Sequence, residues 1–299
     1  MNSRWADDEA LLTRAYLTAF GAKVDETALE ALALRIHRRS RELGQAEQTR
    51  EDIALAREYA ARLQGPARLS GQVLNSMGSA LLAIGDLHQA EVTLREALAV
   101  RMAALGPRHV DVGFTLSNLA LVVSGTAERE TLVLRALEIF ETELGPAHPH
   151  SAVIRIVASV SLTDPRMAAE VLERGCSVLE RFAADRVAQR AMCLAHLGQR
   201  HEEAGEPAAA RSAWREAAVL ARRLTPDDTA LTRPEIALIR GYAALRLGPV
   251  GDEIAELRAA LRRRARAANG GWRSSRPSFT CASASTSPLR ASSPKRAST

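Results

Sequence analysis

Aromatic residues make up only 4% of these 299 residues, and lysine is nearly missing: Lys23 and Lys295 stand against 38 arginines. Cysteine is scarce as well. Cys176, Cys193 and Cys281 are odd in number and form no CxxC pair. A disulfide framework is therefore not expected, and a reducing cytoplasm is the expected location. No apolar run reaches the roughly 18 residues of a membrane-spanning helix. The opening residues, Met1 to Asp8, lack a basic segment followed by an apolar one, so no secretory signal is expected. Strand-type alternation is absent too. So are a Gly-rich phosphate loop, a GxSxG elbow and an HExxH pair, which excludes the enzyme classes built on them. No enzyme activity, cofactor or resident metal is expected.

What is present is helix. Ala and Leu dominate a chain that is 46% hydrophobic and 25% charged, enough apolar surface for a large core. The net charge of +5 conceals an asymmetry. Residues 262–299 carry eight Arg and one Lys with no acid, so the remaining body is mildly acidic. Residues 6–20 predict a first helix with Leu11, Leu12, Tyr16, Leu17 and Phe20 on one face. A second helix follows, capped by Asp25 and closing at Gly44. A third runs over about 50–63, before Gly65-Pro66. Residues 1–69 read as an N-terminal helical cap or degenerate repeat.

The sequence then repeats itself. Leu105-Gly106-Pro107-Arg108-His109-Val110 returns 39 residues later as Leu144-Gly145-Pro146-Ala147-His148-Pro149. A fixed period of this size marks a stacked repeat. One copy reads Leu74-x2-Met77-Gly78-x2-Leu81, then Gly85-Asp86, then Ala90-x3-Leu94-x2-Ala97. A second has Leu116-x2-Leu119-Ala120-x2-Val123 with Leu132 and Ala136, and is three residues shorter near Gly125. A third, poorer copy covers 151–182, with Asp164-Pro165 at the turn and Ala168, Leu172 and Gly175 beyond it. The fourth is the best: Leu194-x2-Leu197-Gly198-x2-His201, then Gly205, then Ala210-x3-Trp214-x2-Ala217. A weaker last unit has Gly241, Gly248, Leu257 and Ala260. Small residues at fixed positions let paired helices approach, and large ones fill the space around them.

These motifs resemble the tetratricopeptide repeat. The first two copies resemble its kinesin-light-chain type, whose long second helix ends in Leu-Gly-x-x-His-Pro; Leu116-Ser117-Asn118-Leu119-Ala120 is similar to that type's Leu-Asn-Asn-Leu-Ala segment. Val110, Ser117 and the shortened turn depart from the pattern, so the 39-residue spacing reads as the family's 42-residue unit less three. The arrangement is also similar to repeat regions appended to bacterial serine/threonine kinases of the myxobacterial kind, although this chain has no kinase motif of its own. The resemblance implies an all-α fold: an α-α superhelix of about five helix pairs over residues 70–264, followed by a disordered basic tail over 265–299.

Side chains able to do chemistry are few, and each has a structural reading. Cys193-x2-His196-x4-His201 has metal-like spacing, but all three fall on one helix, and His201 takes a slot that usually holds a core aromatic. His109, His148 and His150 fall in inter-repeat turns, where the repeat type itself supplies a His. Glu202 and Glu203 are adjacent on a helix and point apart. The resemblance further implies a concave face lined by the first helix of each pair. Its inward positions are Asn75, Ser79 and Leu82; Ser117, Asn118 and Leu121; and Ala195, Gln199 and Glu202. That set is polar, small and lightly charged. It suits a peptide backbone better than an acidic tail, which calls for an Arg/Lys clamp. The functional expectation is a cytoplasmic, non-catalytic scaffold for a protein or peptide partner. Two alternatives are a regulatory segment of a bacterial signalling kinase system and a nucleic-acid-associated regulator acting through the basic tail. Ser293-Pro294 in that tail is a candidate phosphosite.

Overall fold

The computed structural model describes residues 3–21, 25–40, 45–62, 67–224 and 233–247. Among the described residues there are twelve α-helices and no strand: α1 (Ser3–Gly21), α2 (Asp25–Ser40), α3 (Ala46–Arg62), α4 (Ala67–Ala83), α5 (Leu87–Leu105), α6 (Val110–Ala120), α7 (Thr126–Glu143), α8 (Pro149–Ser161), α9 (Pro165–Phe182), α10 (Val187–Glu203), α11 (Pro207–Arg223) and α12 (Arg233–Leu247). The four clear or partial copies read from the sequence fall on α4–α5, α6–α7, α8–α9 and α10–α11. Gly241 of the last unit lies on α12. Gly248, Leu257, Ala260 and the tail lie outside the described residues, as does Gly44.

Each pair is joined by a turn whose chemistry is visible in the chain. Asp86 caps α5 by accepting from the Gln89 amide at 3.3 Å, and Asp164 caps α9 by accepting from the Arg166 amide at 2.9 Å. Pro149, Pro165 and Pro207 open their helices, where the missing amide proton costs nothing.

Packing within a pair follows a small-against-large rule in two tiers. A Cβ added at Gly78 would meet the Leu94 side chain at 2.6 Å, and one at Gly198 would meet the Trp214 indole at 2.8 Å. Ala120 and Val133 hold the same places in the second copy and share one buried cluster. Seven residues away lies a second tier. Gly71 faces Arg101, whose Cγ would lie 2.7 Å from an added Cβ, and Gly113 faces Phe140 at 2.8 Å. Phe140 is fully buried and meets Phe114 edge-on at 4.7 Å.

Consecutive pairs stack because each second helix also packs on the next first helix: α5 on α6, α7 on α8, α9 on α10, α11 on α12. The first helices α4, α6, α8, α10 and α12 touch their successors as well. α6, α8 and α10 are therefore each packed against four other helices, and α8 is buried at every position from Ser151 to Ser159. The N-terminal helices join the same core, which runs unbroken from Tyr16 on α1 to Val123 after α6. A buried ion cluster supports that end. Arg35 donates to both oxygens of Asp52 at 2.7 and 3.1 Å, Arg39 donates to Asp52 at 2.8 Å, and the Arg35 guanidinium lies over the Tyr16 ring at 5.0 Å.

Two sequence expectations are corrected here. The shortening near Gly125 is taken from the first helix and not from the turn, since residues 121–125 join α6 to α7 where residues 84–86 join α4 to α5. α6 stops at Ala120, and Val122 and Val123 both close their amides onto Leu119 at 3.1 Å. Cysteine pairing was the other. Cys176 on α9 and Cys193 on α10 form a disulfide, with Cα atoms 5.7 Å apart. Neither an odd cysteine count nor the lack of CxxC registers a pair 17 positions apart that two packed helices bring together.

Candidate functional site

The Leu-Gly-x-x-His phrases come first, because they carry histidines. Gly106 and Gly145 end α5 and α7 with φ of 85° and 91°, a backbone region that other residues rarely adopt. Their amides close back on Met102 and Glu141, each at 3.1 Å. The histidine then starts the next helix: His109 Nδ1 accepts from the Asp111 amide, and His148 Nδ1 from the His150 amide, both at 3.1 Å. An imidazole accepts at Nδ1 only when that nitrogen is unprotonated. The phrase is a helix stop joined to a helix start.

Three histidines are shifted toward the neutral form, His196 fully buried and His148 and His150 half-buried. Burial pushes His150 down to about 4, helped by His148 and Arg186, and pushes His196 down to about 3, helped by Arg200. His148 is lowered by the same causes, burial first and Arg186 second. The folded chain therefore binds fewer protons than the unfolded chain below the ordinary histidine value of about 6.5. The stability linked to these groups is complete above that value and is lost as the pH falls toward 4 and then 3. His196 alone contributes about 2 kcal/mol between pH 7 and pH 5. Urea titrations of the wild type and His196→Leu at both pH values should show the larger acid loss in the wild type. Equal losses would remove His196 from the cause.

The Cys193, His196 and His201 trio does not converge. Cys193 is bonded to Cys176. His201 is buried, with Nδ1 2.7 Å from Glu206 and Nε2 3.5 Å from Glu173. Among the described residues, no group of three or more His, Cys, Asp or Glu is placed to hold a metal ion.

The nine positions assigned to the concave face are placed unequally. Asn75 is 1% exposed, and Ser79, Leu82, Ser117 and Ala195 are buried with it. These five are packed among the helices and present little surface to solvent. Asn118 is half-buried and donates from Nδ2 to the side-chain Oδ1 of Asn75 at 3.3 Å, linking α6 to α4. Leu121 is half-buried, one residue past the end of α6. Gln199 reaches solvent beside Glu203 at 3.0 Å. Glu202 is exposed but engaged: it accepts from the Trp214 indole at 3.1 Å and pairs with Arg246, whose guanidinium lies 4.7 Å over the Trp214 ring. Two groups result, Asn75 with Asn118 on α4 and α6, and Gln199 with Glu202 on α10, which packs on α8, α9, α11 and α12.

On the opposite side of the stack the sequence reading missed a cleft of about 330 Å³ between α9 and α11, floored by α10. Glu173, Cys176, Ser177 and Glu180 form one wall, and Ala209, Ser212, Ala213 and Glu216 the other. Both sets follow the i, i+3, i+4, i+7 spacing of a single helix face, a signal the sequence carries.

No family model matches the chain, and no curated protein matches it. Solved structures do. A putative kinesin light chain of Podosopora anserina with nearly identical TPR-like repeats superposes with a TM-score of 0.50 at 15% identity, over 70% of this chain and all of its own. NprR in complex with its cognate peptide NprX superposes with a TM-score of 0.50 at 14% identity, over 88% of this chain and 81% of that one. The chain has the tetratricopeptide-repeat fold. Within it, the first helix of each repeat carries Asn118, Gln199 and Glu202, and the second carries the walls of the cleft. No helix among the described residues is long and apolar enough to cross a membrane.

Proposed function

We propose that this tetratricopeptide-repeat protein is a non-catalytic cytoplasmic scaffold that holds an extended peptide segment of a protein partner along its first-helix side. One observation carries the reading: the groups that reach solvent on α4, α6 and α10 include Gln72, Ser76, Asn118, Gln189 and Gln199, all amides or a hydroxyl. Such side chains both donate and accept, which suits the alternating amide and carbonyl groups of an extended backbone. NprR, which has the same fold, was solved with a peptide bound, and this supports the choice of ligand class. Of the nine positions expected on this side, Asn118, Leu121, Gln199 and Glu202 make the contact in this reading. Asn75, Ser79, Leu82, Ser117 and Ala195 form the packed layer beneath them.

The test is a selection of peptides from a displayed random library on the full chain, followed by titration of a selected peptide. Gln199→Arg, which leaves the Asn118–Asn75 bond intact, should weaken its binding at least tenfold while the thermal melt stays in place. Undiminished binding by that variant would sink the assignment.

A further inference from the structure

We propose that the cleft between α9 and α11 is a docking site for the arginine cluster Arg262-Arg263-Arg264-Ala265-Arg266 of this chain's own C-terminal segment. The chemistry of the cleft selects arginine. Its floor is apolar, made by Leu194 and Leu197, and its rim carries Glu173, Glu180 and Glu216. An arginine side chain has the matching anatomy: an aliphatic stem that lies on apolar surface and a planar fork that pairs with carboxylates. Cys176 and the small Ser177, Ala209, Ser212 and Ala213 leave room for such stems between the two helices.

The charges are complementary. Three carboxylates face one cation inside the cleft, Arg190, and that cation is already engaged by Glu180 at 3.7 Å and the Ala184 carbonyl at 3.4 Å. His201 at one end is engaged by Glu173 and Glu206. Glu173 and Glu180 remain 56% and 73% exposed, with carboxylate surface free for a further partner. The segment from Arg262 onward carries only positive charge.

Geometry allows the contact. α12 ends at Leu247, and the preceding Arg246 is paired with Glu202 on a face of α10 that does not line the cleft, so the contact requires the following segment to cross to the other side of the stack. The 15 residues from Leu247 to Arg262 span at most about 50 Å when extended, several times the length of the cleft wall from Glu173 to Glu180, about 10 Å of helix. The basic cluster is covalently tethered to the body that carries the complementary surface, which makes the encounter intramolecular. A nucleic-acid role for the same arginines competes with this docking, since phosphates and the cleft carboxylates would use the same guanidinium groups.

The test is limited trypsin digestion of the full chain, followed by mass spectrometry of each cut. At low salt, cleavage after Arg262, Arg263, Arg264 and Arg266 should be at least tenfold slower than after Arg273 and Arg290. The protection should vanish at roughly 0.5 M salt, where the screening length falls to a few ångströms, and in the variant Glu173→Gln, Glu180→Gln, Glu216→Gln. All three carboxylates are on the surface, so that variant should melt like the wild type. Should it melt early, Glu216→Lys alone should give the same loss of protection. Equal cleavage rates across the wild-type tail would overturn the proposal, and so would protection that survives both salt and substitution. A tail that is cut freely until duplex DNA is added would assign the cluster to nucleic acid instead.

Discussion

Phe140→Ala should cost about 3–5 kcal/mol of folding stability, the largest loss of any single side-chain truncation in the α6–α7 repeat. Phe140 has no exposed surface, and its ring lies against Gly113 on α6 and edge-on to Phe114. Gly113 cannot fill the space that truncation would leave, because it has no side chain to move. Val112, Leu116, Ala136 and Ile139 line the same cluster and are themselves packed against further helices. A cavity therefore persists, and its volume adds to the lost burial. Urea unfolding should show a lower midpoint with an unchanged slope. Phe182→Ala is the control. Phe182 is 54% exposed at the end of α9, and its truncation should stay within about 0.5 kcal/mol of the wild type.

Reduction of the Cys176–Cys193 bond should cost about 3 kcal/mol, because the bond closes a short loop, 17 positions in sequence, and removes that freedom from the unfolded chain. In a protein of 299 residues that corresponds to a melting point lower by about 5 °C. Melts with and without a phosphine reductant read it directly. Cys176→Ala should melt at the reduced temperature in both conditions. Identical melts of the wild type with and without reductant would contradict the bond's contribution. In a reducing cytoplasm the pair stands as two thiols, so trapping with an alkylating reagent in cells reports both the state of the pair and the compartment.

The fold was legible because repeats print their packing rule several times. The upper tier of small-against-large contacts, Gly78 with Leu94 and Gly198 with Trp214, followed from sequence spacing alone. The lower tier did not. Gly71 faces an arginine and Gly113 a phenylalanine, so no single residue type repeats at those positions. The turn role of His109 and His148 was also legible, since each follows a helix-stopping glycine. Accessibility was not. A helical position turned away from its own partner is exposed in an isolated hairpin, yet Asn75, Ser79 and Ser117 are buried here by helices from neighbouring repeats. The cysteine pair was hidden for the same reason: its two members belong to different repeats, and their meeting depends on how α9 packs on α10.

Amide hydrogen exchange of the full chain, with and without a peptide selected on it, tests the proposed binding side most directly. Protection should rise in α6 with the adjoining Leu121 and in α10, around Asn118, Leu121, Gln199 and Glu202, and stay unchanged in α5 and α7. Protection gained on α5, α7, α9 and α11 alone, with the first helices unaffected, would contradict a first-helix binding side.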